Sequence, residues 1–84
     1  MKYLFITFRS VTFAQRGEQI LNKAGIRCTL RRTPKWMESQ GCGYSLRIRA
    51  ADGEAAVALL RDHQVPMRKV YTQGDDGTWE EMTL

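Results

Sequence analysis

Residues 26–49 read IRCTLRRTPKWMESQGCGYSLRIR, and the patterning of this stretch decides the fold. Ile26, Cys28 and Leu30 alternate with Arg27, Thr29 and Arg31, the period of two that a strand with one buried face requires. Tyr44, Leu46 and Ile48 alternate in the same way with Ser45, Arg47 and Arg49. Between the two runs, residues 32–42 follow neither a strand nor a helix period. Pro34 disfavours both continued helix and a central strand, so this segment reads as a surface loop. Two strands are therefore joined directly, with no helix between them.

Outward from this pair, residues 2–9 form an aromatic and β-branched run that reads as a first strand. Ser10 is placed to cap a helix in which Phe13, Ala14, Gly17, Ile20, Leu21 and Ala24 recur at helical spacing, and Gly25 fits the position that stops it. Downstream, Asp52 is expected to cap a helix over 53–63, with Ala56, Leu59, Leu60 and His63 in one stripe. Residues 66–72 read as a further strand. Gly74-Asp75-Asp76-Gly77 is a turn signal that leads toward a short C-terminal edge strand around Thr78–Met82. The order β-α-β-β-α-β predicts a ferredoxin-like α+β sandwich, an antiparallel sheet with two helices on one face. Right-handed crossovers then put the first and third strands at its centre. Residues 1–73 read as the domain and 74–84 as a turn with a short acidic strand or tail.

At 84 residues the chain makes one small domain, and 43% hydrophobic residues suffice for an ordinary core. The apolar run from Tyr3 to Phe8 is too short for a signal peptide core or a membrane span, which predicts a cytoplasmic protein with reduced thiols. Two cysteines and one histidine do not make a zinc site, so no metal and no cofactor are expected. The net charge of +4 is unevenly spread: Arg27, Arg31, Arg32, Lys35, Arg47 and Arg49 face a single acid, Glu38, within residues 27–49. Such a local field favours an anionic ligand or an acidic partner, and a solvated sheet face explains it equally well.

Cys42 stands between Gly41 and Gly43. Two glycines leave the sulfur unshielded and allow a backbone nest of N–H groups around it. Arg31, Arg32, Lys35 and Arg47 are candidates for the positive charge that enlarges a thiolate fraction. A sulfur or selenium carrier needs a thiolate nucleophile on an exposed segment, and a free surface cysteine in a glycine turn is the plain alternative. Trp36 and Met37 in the same loop offer either a docking surface or a cover for a core edge. Cys28 reads as a buried small hydrophobe on its strand's core side rather than a resolving thiol. His63 reads as a partly buried histidine at a helix end rather than a catalytic base.

These residues resemble the selenium/sulfur carrier-like family of small bacterial proteins over about residues 3–71. The resemblance rests on Tyr3-Leu4 through Thr7-Phe8 with Ser10, on Ala14, Glu18, Leu21 and Ala24-Gly25-Ile26, on Thr33-Pro34, and on Cys42-Gly43 followed by Leu46 and Arg47. It implies that Cys42 accepts sulfur or selenium as a persulfide or selenopersulfide and passes it on. The implied partners are a donor of the cysteine desulfurase type and an accepting enzyme.

A rival reading uses the sheet face away from the helices. Tyr3, Phe5, Arg47, Arg49, Lys69 and Tyr71 are expected there, an aromatic and basic mixture seen where sheets stack RNA bases. The third strand, however, offers Ser45, Arg47 and Arg49 where such a sheet is aromatic-rich. That mismatch places single-stranded RNA behind a homodimer or a protein-docking face. No paired carboxylates, Cys/His constellation or phosphate loop is present, so a carrier or binding protein is expected before an enzyme with turnover.

Overall fold

A computed structural model describes residues 2–33, 43–73 and 78–82. The elements in order are β1 (Tyr3–Phe8), α1 (Val11–Lys23), β2 (Cys28–Arg32), β3 (Tyr44–Arg49), a 3₁₀ turn (Ala50–Asp52), α2 (Gly53–Asp62), β4 (Lys69–Gln73) and β5 (Trp79–Met82). They build one antiparallel sheet in the order β2-β3-β1-β4-β5. This is the ferredoxin-like arrangement, extended by β5 at the edge beside β4. β1 and β3 lie inside the sheet, as the crossover rule requires.

Register fixes the two faces. Leu4 is opposite Ile48, Ile6 opposite Leu46 and Val70, and Phe8 opposite Tyr44, and this row packs under the helices. Leu4, Ile6, Phe8, Leu46, Ile48 and Val70 join Ala14 and Leu21 of α1 and Ala56 and Leu60 of α2 in a single buried cluster. Gly17 lets α1 come close: a Cβ there would stand 3.3 Å from both Leu46 Cδ1 and Phe8 Cζ. The opposite, open face carries Tyr3, Phe5 and Thr7 on β1, and Ser45, Arg47 and Arg49 on β3.

The helix termini follow local chemistry. Ser10 caps α1, its Oγ accepting from Phe13 N–H at 3.3 Å, and Gly25 leaves the helix at φ 81°. Asp52 does precede α2, but its side chain makes no capping hydrogen bond there, because a 3₁₀ turn leads into the helix instead. The chain leaves α2 through Gln64 at φ 58°, a left-handed position without a glycine. No helix among the described residues is long and apolar enough to cross a membrane.

Candidate functional site

The β2–β3 pair sets where the cysteine segment attaches. Arg32 is opposite Tyr44, and one step further Thr33 N–H donates to the Gly43 carbonyl at 3.0 Å. That bond closes the ladder at the residue next to Cys42. The surface loop read over 32–42 starts later than expected, because pairing with β3 carries β2 through Arg32 and Thr33 is buried; the rest of that segment, with Cys42, Gly41, Lys35, Trp36 and Met37, lies outside the described residues. Gly43 is buried, and Arg31 and Arg32 are exposed at the same end of the sheet. Arg31 lies on the open face opposite Ser45, whose hydroxyl donates to the Arg31 carbonyl at 3.4 Å, while Arg32 lies on the helix face.

Two further residues reach this end from segments that offered no local signal. The β1–β3 register stops at Phe8 opposite Tyr44, and exposed Arg9 follows at the same end of the sheet, where it lines a hollow with Phe13, Pro66, Met67 and Arg68 on the β4 side. Thr33 is 6% exposed and its Oγ1 has no hydrogen-bond partner among the described residues. A buried hydroxyl without a partner costs about 1–3 kcal/mol, which makes it a feature to be explained rather than background. Thr7 and Ser45 are buried nearby on the open face, and both are satisfied. Thr7 Oγ1 takes the Lys69 N–H at 3.0 Å and donates to the Lys69 carbonyl at 3.2 Å. In sequence Thr33 merely precedes a proline; only pairing across the sheet brings it to Gly43.

Arg47 goes elsewhere. Its guanidinium stacks over the Tyr3 ring, 4.6 Å from the centroid, at the end of the sheet where β1 begins. The open aromatic face also differs from a free stacking platform. Trp79 of β5 packs against Phe5 with ring centroids 4.8 Å apart, and Phe5 is left 9% exposed.

Cys28 is half-buried rather than buried. It sits on the helix face, as alternation requires, but β2 is an edge strand and only one neighbour covers it. Its Sγ approaches the Glu18 carbonyl and Asn22 Oδ1, each at 3.9 Å. Burial first, and the Glu18 charge second, push its thiol from 9.0 up to about 11. Gly43 stands at the opposite end of β2, about 16 Å away at ~3.3 Å per residue, whereas a disulfide joins Cα atoms less than about 7 Å apart. Cys28 is thus a protonated, remote thiol. Alkylation at neutral pH is expected to label it roughly a hundredfold more slowly than in the unfolded chain, about tenfold for each step of raised pKa. Equal rates in the native and denatured protein would contradict this. The folded chain holds this proton between pH 9.0 and about 11 while the unfolded chain releases it. The group's contribution to stability is therefore complete below pH 9 and is lost as pH rises through 11.

His63, expected on the apolar stripe, is exposed, with Nδ1 2.9 Å from the Leu59 carbonyl at the end of α2. No group of three or more metal-ligating side chains occurs among the described residues.

A family model described as "Putative Se/S carrier protein-like" matches residues 3–72, most of the chain. No curated protein and no solved structure matches it.

Proposed function

Because the chain belongs to this Se/S carrier-like family, we propose that Cys42 accepts a sulfur or selenium atom from a donor enzyme and delivers it to an acceptor. The Cys42 thiolate attacks the terminal sulfur of a donor persulfide, the donor's S–S bond breaks, and the donor cysteine leaves as a thiolate. A persulfide on Cys42 results. The step is an exchange with no net redox change, so it calls for no added oxidant or reductant. Delivery repeats it in reverse on the acceptor, and selenium follows the same course.

The observation that best supports this reading is the composition of the sheet end at Gly43. The Thr33–Gly43 hydrogen bond ties the residue after Cys42 to the sheet, with exposed Arg31 and Arg32 on the neighbouring strand and the Thr33 hydroxyl, unpartnered among the described residues, beside it. Guanidinium groups favour a thiolate over a thiol, and a free hydroxyl is a donor for an anionic sulfur. Lys35 is the further candidate cation in this proposal, and Trp36 and Met37 are the candidate docking residues.

The test is the intact mass after incubation with a cysteine desulfurase and cysteine. A gain of one or more sulfur atoms that maps to Cys42, and that disappears on adding an acceptor, supports the carrier. No gain with any desulfurase tried sinks it. Replacing Arg31 and Arg32 together by alanine is expected to slow Cys42 alkylation at neutral pH while leaving the rate at high pH unchanged. A uniform slowing at all pH values would instead mean altered access.

A further inference from the structure

An open cleft of about 350 Å³ lies at the start of β2, lined by Tyr3, Asn22, Arg27, Thr29, Arg47 and Arg49 together with Cys28. A second hollow, of about 330 Å³, shares Arg27 and Arg49 and brings in Asp52. Among the described residues neither Arg27 nor Arg49 is in a salt bridge, and Asp52 comes within ion-pair distance of neither. Arg47 lies over the Tyr3 ring. Three guanidinium groups thus converge at one corner of the sheet, at the opposite end from Gly43.

From this corner we propose a binding site for single-stranded RNA, separate from the carrier thiol and independent of that reading. Three positive charges at one corner match a phosphodiester backbone. The Arg47–Tyr3 pair offers a guanidinium and an aromatic ring against which a base can stack. The Asn22 amide and the Thr29 hydroxyl provide the short donors and acceptors that engage a 2′-hydroxyl, which favours RNA over DNA. Phe5, the residue a stacking sheet would use, is already covered by Trp79, so the site lies at the arginine corner and not at mid-sheet. An acidic protein surface would meet the charges but has no use for a pair that stacks bases.

The experiment is fluorescence anisotropy of labelled oligouridylate with the full chain, with the matching oligothymidylate and polyglutamate as competitors. Three phosphate contacts predict a log–log salt slope of about −2, or roughly a twentyfold loss of affinity between about 50 and 200 mM salt. The R27A/R49A variant, changed only at exposed positions, is expected to keep its circular dichroism spectrum and lower the slope by about 1.4. Tyr3→Ala is expected to weaken binding about tenfold. Cys42→Ser is expected to bind as the parent does, which separates this site from the carrier reading. Absence of binding at low salt, or full binding by R27A/R49A, overturns the proposal. Competition by polyglutamate as strong as by RNA assigns the corner to an acidic protein instead, and equal binding of the DNA oligomer removes the assignment to RNA.

Discussion

Cys42→Ser is expected to abolish uptake of sulfane sulfur completely while leaving the denaturation midpoint unchanged. A hydroxyl in place of the thiol has neither the nucleophilicity nor the capacity to hold a persulfide, so the loss is all-or-none rather than graded. Stability should be indifferent because the sequence reads Cys42, between two glycines, as an exposed position with little packing to lose. Cys28→Ser is the control. Its thiol is protonated at neutral pH and lies at the far end of β2, so transfer should survive. The two variants together discriminate between the cysteines. Sulfur uptake by Cys42→Ser, or its loss in Cys28→Ser, would each assign the carrier role to the wrong thiol.

Phe8→Ala is expected to be the most damaging single change to the fold. Phe8 is 0% exposed and is among the largest fully buried side chains. It closes the end of the core where β1 meets Tyr44 and lies beneath Gly17 of α1. Removing it forfeits the transfer energy of the ring and leaves a cavity that a sheet anchored on both sides cannot collapse, for a loss of about 3–5 kcal/mol. A domain of this size has a total stability on the order of 4–12 kcal/mol, so the midpoint should fall by well over ten degrees. Thermal unfolding followed by circular dichroism gives the answer. A loss under about 1 kcal/mol would mean that the Phe8 site refills and that the packing against Gly17 is not tight.

The expected effects differ because the two residues belong to different parts of the molecule, and the same division shows in how they could be read. Phe8 belongs to the apolar run of residues 2–9 that reads locally as a first strand, whereas the surroundings of Gly43 depend on pairing across the sheet. Trp79 gave no sign in sequence that it would cover Phe5. It does so because β5 pairs with β4 and places the indole diagonally across two strands.

Local sequence determined the elements and their faces: the alternation in 26–31 and 43–49, the Ser10 cap, the Gly25 stop at φ 81° and the β-α-β-β-α-β order that implies the topology. These are properties of a few adjacent residues, and backbone sterics with apolar periodicity suffice to express them. Depth and company were decided by the tertiary structure. Alternation gave the side on which Cys28 lies, but the edge position of β2 left it half-buried. Arg47 and Arg31 looked equivalent on neighbouring strands, and register sent one to Tyr3 and kept the other near Gly43. Thr33 meets Gly43 only because β2 pairs with β3 in this register, which no local pattern encodes.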